Sequence, residues 1–237
     1  MRRMWAICSK ELQLYFLNPT TYFAIAVYVL LSSYMFYVSF VGYQPSILDY
    51  RLILGNTIFM LLIIIPLLTM RLISEEFRQG TDELLLTSPV TVTEIVVGKY
   101  LASLGLLVVL IACNLVYPMT MSFFGTMNMP MLLLSLLAVF LLGAAMMAIG
   151  LFASSLFQHQ MVSAVIAFVL LLGLWIIDSF TMNSDIAQKW LEPFSISSRI
   201  DNLIKGVLHG PDILFYLTLS LLFLVLSIQV VERKRWR

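Results

Sequence analysis

One stretch carries most of the polar chemistry in the first half of this chain: RLISEEFRQGTDELLLTSPVTVTEIVVGK, from Arg71 to Lys99. It contains Glu75, Glu76, Asp82 and Glu83, four of the five acidic residues between Asp49 and Asp178; the fifth, Glu94, lies at its far end. Their spacing suits no catalyst. There is no HExxH, no GxSxG with partners and no His/Cys metal cluster, so neither a catalytic site, a cofactor site nor a metal site is expected in this chain. Gly98-Lys99-Tyr100 has the Gly-Lys of a phosphate loop, but the hydroxyl residue after Lys and the upstream Gly are both missing. Lys99 reads instead as an anchor at headgroup depth. His159 and His209 fall on opposite sides of the membrane and read as surface residues. Cys8 and Cys113 form no CxxC or metal spacing and read as small buried hydrophobes. What such a polar island between two apolar helices can do is receive force from a partner protein.

The rest of the composition says what must position it. Hydrophobic residues make up 61% of the 237-residue chain and charged residues 11%, against about 25% charged in a soluble domain. That balance specifies an all-α polytopic membrane protein, a single transmembrane domain over 1–237. A net charge of +1 gives no bias toward nucleic acid, which is not expected as a partner. Lys10 and Glu11 interrupt the first apolar run and no A-x-A site follows, so the chain is expected to insert uncleaved.

Residues 1–18 read as an N-terminal amphipathic helix lying in the membrane interface. Met4, Trp5, Cys8, Leu12, Tyr15 and Phe16 share one face, with Arg3, Lys10 and Gln13 opposite. Trp5, Lys10 and Glu11 are its candidate interfacial residues. Six spans follow, at about 20–42, 52–73, 95–124, 131–156, 161–180 and 211–231. Span four is crowded with small residues from Gly143 to Ser155, which allow close helix packing. Asn56 and Asn114 are expected to bond helix to helix, and Pro66 and Pro118 to permit kinks. Residues 181–210 read as two short amphipathic helices on the outer side. Basic residues gather on the side holding both termini, which places the N- and C-termini in the cytoplasm.

Within the polar stretch, whose residues 74–94 form the cytoplasmic region between spans two and three, Arg71–Phe77 reads as a helical continuation of span two that Gly80 ends. Thr81 can cap a short helix carrying Leu84, Leu85 and Leu86, which Pro89 ends. Thr91 and Glu94 have capping-box spacing for the next helix. No ionisable residue falls in the centre of a span, which removes the relay that a proton- or ion-coupled transporter needs.

EEFRQGTDELLLTSPVTVTEIVVGK resembles the signature of ABC-2 type permeases, the membrane subunits of ABC transporters, and the likeness extends over essentially the whole chain. Within the type it is most similar to permeases of gliding-motility and copper-processing gene clusters. The resemblance implies a cytoplasmic coupling helix between spans two and three. Its ATPase-contacting residues would be Glu75, Glu76, Phe77, Arg78, Gly80, Thr81, Glu83, Leu84, Leu85, Leu86 and Pro89. It implies a contribution from the connecting helix 1–18, a path formed mainly by spans one, two and five, and an exit gated by the outer helical pair. It also implies partners: two copies of an ABC ATPase subunit, which would hold the ATP and Mg, and a second permease copy or a related permease or auxiliary subunit. The implied setting is a bacterial inner membrane. One position departs from the pattern, Val92, where the family often has a basic residue.

Two functions fit this reading. The first is an exporter permease coupling hydrolysis in the ATPase to substrate movement. The alternative is a non-transporting membrane anchor, a mechanotransmission subunit that passes ATPase motion to an extracytoplasmic partner.

Overall fold

A computed structural model describes residues 2–42, 51–80, 90–123, 129–181, 196, 199–200 and 210–235. All regular structure among them is helical, and six helices are long and apolar enough to cross a membrane. In chain order they are α1 (Arg2–Leu17), α2 (Pro19–Tyr37, continued by a π-helical turn at Val38–Gly42), α3 (Arg51–Thr69), α4 (Ser74–Gln79) and α5 (Val92–Asn114). After these come α6 (Val116–Ser122), α7 (Met129–Leu156), α8 (Gln160–Thr181) and α9 (Gly210–Arg235). Thr81, Glu83, Leu84, Leu85, Leu86 and Pro89 lie outside the described residues, as does most of the outer 181–210 segment.

The bundle is built around α7, which packs against α3, α5, α8 and α9. Its small residues explain that position. A Cβ added to Gly143 would come within 2.6 Å of the Leu107 side chain on α5, and one added to Gly150 within 2.1 Å of Thr69 Oγ1 on α3. The glycines leave room for these side chains against the α7 backbone, and in a bilayer such packing replaces the hydrophobic drive between helices. From Leu142 to Leu151 every residue of α7 is buried.

α3 does not run smoothly into α4. A turn at Met70–Ile73 separates them, where a continuous helix is expected from the sequence. The cause is Ser154 of α7, whose hydroxyl accepts from the backbone N–H of Ile73 (3.0 Å) and of Ser74 (3.1 Å) and donates to the Met70 carbonyl (3.2 Å). A side chain inserted into the backbone ladder is a recognised origin of a break. Ser154→Ala is expected to strand both N–H groups and destabilise the fold by roughly 2–6 kcal/mol, at about 1–3 per orphaned buried donor. Thermal melting in detergent measures this, and an unchanged midpoint would mean that the hydroxyl does not hold the turn.

α5 is interrupted at Leu115, and Pro118 accounts for it, since proline has no N–H for the carbonyl four residues back at Asn114. Asn114 itself is buried and donates from its side-chain amide to the Tyr28 hydroxyl of α2. The Tyr117 hydroxyl adds a second tie, donating to the Val29 carbonyl (3.3 Å) and sharing a hydrogen bond with Ser33 (3.1 Å). Polar groups in the spans are thus used to join α5 and α6 to α2.

Candidate coupling site at the polar end of the bundle

Two local signals of the polar stretch, Gly80 and the Thr91–Glu94 box, form the structure expected of them. Gly80 ends α4 at φ 67°, in the left-handed region that glycine enters without a Cβ penalty, and its N–H bonds to the Glu76 carbonyl. Thr91 caps α5: its hydroxyl accepts from the Glu94 N–H (3.3 Å), and the Glu94 carboxylate accepts from the Thr91 N–H (3.1 Å).

The charged side chains near these caps are less predictable. Lys99, expected at the headgroups, is 1% exposed. Its ammonium lies 2.7 Å from Glu11 Oε1 of α1 and 2.9 Å from Glu76 Oε1 of α4. A lone buried ammonium is costly, and the pairing is what permits burial. One cation therefore joins three elements, α1, α4 and α5, far apart in sequence. Glu11 accordingly belongs to the packed face of α1 rather than to a solvated interfacial one.

α1 lies in a furrow on α5 that glycines open. A Cβ at Gly98 would meet the Met4 carbonyl oxygen at 3.0 Å and Ile7 at 3.1 Å, and one at Gly105 would meet Leu12 at 2.9 Å. Cys8, Glu11 and Tyr15 are buried in this contact. The Tyr15 hydroxyl donates to the Leu68 carbonyl of α3 (3.2 Å). Burial, and then the Glu11 carboxylate, push the Tyr15 hydroxyl well above its ordinary pKa, so it remains a donor. The same two causes, in the same order, raise the Cys8 thiol. Trp5 and Phe16, assigned to one face with Cys8 and Tyr15, are exposed together with Leu14 and Leu17, and Lys10 is exposed as well. α1 therefore has a packed stripe and a separate apolar edge.

The remaining candidate residues divide. Glu75, half-buried, pairs with Arg78 (2.7 Å) and accepts from Gln79 (2.6 Å). Arg78 and Gly80 are exposed. Phe77 turns inward, and the Lys234 ammonium of α9 sits 3.8 Å above its ring. Lys234 also donates to the Ser155 carbonyl (2.9 Å) and the Leu156 carbonyl (3.3 Å), which closes the last turn of α7. Glu76 and Phe77 thus tie α4 to α1, α5 and α9, while Arg78 and Gly80 face away from the bundle.

Sequence reasoning passed over Glu11, Lys99 and Lys234 as parts of one assembly. A signal for Glu11 was present: it follows Cys8 by three residues and precedes Tyr15 by four, which puts it on their side of the helix. Among the described residues no group of three or more His, Cys, Asp or Glu is placed to hold a metal. The charged side chains here neutralise one another, and that suits holding elements together, with no nucleophile or base set against a substrate.

A comparison with curated proteins found no match. The family model described as ABC-2 family transporter protein matches residues 15–234, nearly the full length. The chain belongs to the ABC-2 transporter family, and it is a multi-pass permease subunit of an ABC transporter that works in the membrane with an ABC ATPase subunit.

Proposed function

We propose that this permease is the membrane half of an exporter, and that the Lys99 triad is where motion of the ATPase enters the bundle. The observation that carries this reading is the single buried ammonium shared by Glu11 and Glu76. In it, the ATPase seats against the coupling segment 81–89 and the exposed Arg78 and Gly80, in the cytoplasm beside both chain termini. ATP and Mg stay with the ATPase, of which two copies serve two permease copies or a permease with a related subunit. The setting is a bacterial inner membrane. Displacement of α4 passes through Glu76 to Lys99 and so to α1 and α5, and through Phe77 to Lys234 and α9. Sealed ionic contacts transmit force because a shift of either partner leaves a charge unpaired.

A second reading, mechanotransmission to an extracytoplasmic partner, has support from α9. This helix carries Lys234 near one end and Asp212 near the other. Asp212 pairs with Arg199 (3.2 Å), Arg199 stacks 4.5 Å over the Phe215 ring, and the Tyr216 hydroxyl donates to the Ile196 carbonyl (2.8 Å). One rod therefore links Phe77 to the segment before α9. In the first reading that segment gates an exit, and in the second it delivers the motion to another protein.

Co-purification with an ABC ATPase encoded beside this chain tests the docking assignment. Glu83→Lys, a charge reversal in the coupling segment, is expected to reduce the ATPase retained by at least tenfold, the loss of about 1.4 kcal/mol or more. Retention and coupled turnover that both match the wild type would remove the coupling segment from the interface.

A further inference from the structure

Beside the triad lies a cavity of about 620 Å³, open between the α1–α2 corner and the α3–α4 turn. Two of its lining residues each carry a polar atom that is buried without a hydrogen-bond partner: Arg71 Nε, a donor, and Glu75 Oε2, an acceptor. Native structures leave few such groups unsatisfied, and here one of each sign belongs to a residue that lines the same cavity. Lys10 also lines it, with Thr20 and Thr21 at the start of α2. The other wall is apolar, and its Leu14, Leu17 and Leu67 are exposed.

The position of the cavity along the spans fixes its surroundings. Residues 17–21 lie where the first span starts and residues 67–72 where α3 ends, so the cavity sits where hydrocarbon meets headgroups. An occupant there needs an anionic acceptor for Arg71, an N–H donor for Glu75 and a hydrocarbon body against the leucines. We propose that it is a binding site for an aminophospholipid of the phosphatidylethanolamine type. The phosphate meets Arg71 with Lys10 nearby, the primary ammonium meets Glu75, and an acyl chain lies along Leu14, Leu17 and Leu67. Arginine suits phosphate through its planar fork of donors. The site depends on the chain spanning a membrane and not on the direction or the product of coupling. Because Glu11, Glu76 and Lys99 line the same cavity, the bound headgroup sits directly against the triad.

The discriminating pair of ligands is phosphatidylethanolamine and phosphatidylcholine with identical acyl chains, since the quaternary ammonium of the second has no N–H to give. Native mass spectrometry of the purified full chain, released from detergent with each lipid titrated in, is expected to show the ethanolamine lipid binding about five- to tenfold more tightly. Glu75→Gln is expected to erase that preference, weakening phosphatidylethanolamine more than phosphatidylcholine, which loses only the attraction between charges. Arg71→Gln is expected to weaken both lipids by about tenfold, as loss of a charge-assisted phosphate contact does. Soluble phosphoethanolamine at millimolar concentration is expected not to compete, because it lacks the hydrocarbon. Equal binding of the two lipids by the wild type overturns the proposal, and so does a preference that survives in Glu75→Gln. Competition by soluble phosphoethanolamine on a par with the lipid overturns it too.

Discussion

Lys99→Met is expected to destabilise this permease by about 3–5 kcal/mol, the cost of removing one partner from a buried ionic set. The substitution leaves Glu11 and Glu76, which share one ammonium at 2.7 and 2.9 Å, facing each other with no cation between them. Taking up a proton relieves only part of that cost, because the carboxyls still lose a charge-assisted partner. Lys99→Arg is no rescue, because a planar guanidinium does not fit a sealed site shaped around an ammonium. Replacing all three residues by methionine has the opposite expectation. Apolar substitution of a whole buried ion set is often neutral or stabilising by about 1–4 kcal/mol, so the triple variant should melt at or above the wild-type temperature. If the triad transmits motion, that same variant loses coupling between ATP hydrolysis and the membrane half while remaining folded. Melting in detergent and ATP turnover in reconstituted complex separate the two effects. A triple variant that is both stable and fully coupled would reduce the triad to a packing device.

The features that local chemistry determines were legible before the fold. Gly80 and the Thr91–Glu94 box act over three or four residues, and each does in space what its spacing predicts. The six apolar helices follow from length and composition. The density of small residues from Gly143 to Ser155 marked a packing helix, and α7 became the hub. The readings that went astray concern side chains whose role depends on a distant partner. Lys99 and Glu11 are 88 residues apart in sequence, and α5 is apolar on all sides, so periodicity gives Lys99 no preferred face. Ser154 looked like one more small residue until the turn at Met70–Ile73 showed what its hydroxyl holds. Phe77, which the family resemblance places at the ATPase contact, also carries over its ring a cation 157 positions downstream. In an uncharged bundle the rare charges are where tertiary structure decides most, and there a single sequence says least.

Gly98→Leu is expected to lift α1 from α5, and Cys8 will report it. The obstacle at this glycine is the Met4 carbonyl at 3.0 Å and the Ile7 Cβ and Cγ2 at 3.1 Å; the first two atoms cannot rotate out of the way. The helix itself has to move. Gly105 offers the contrast, because its neighbour is the Leu12 Cδ2 at 2.9 Å, the far end of a flexible side chain that can take another rotamer. Cys8 is 3% exposed and its thiol is held above its ordinary pKa, first by burial and then by Glu11. The thiolate is the nucleophile, so a raised pKa means less of it at any given pH, and modification by a maleimide is slow near neutrality and quickens as pH rises. Moving α1 removes the larger cause, burial, which lowers the thiol pKa and opens a path for the reagent, while Glu11 rides on the same helix and stays near the thiol. On a Cys113→Ala background, labelling of Cys8 in Gly98→Leu should accelerate at least tenfold at neutral pH, with its pH profile displaced to lower values. Gly105→Ala, which adds only the Cβ that Leu12 can yield to, should change the rate by no more than about twofold. The difference between two glycines on the same furrow carries the claim, because general loosening of the bundle would raise both rates alike. Should the two variants label equally, α1 is not held by the close approach at Gly98, and the route from Glu76 through Lys99 to α1 loses its mechanical basis.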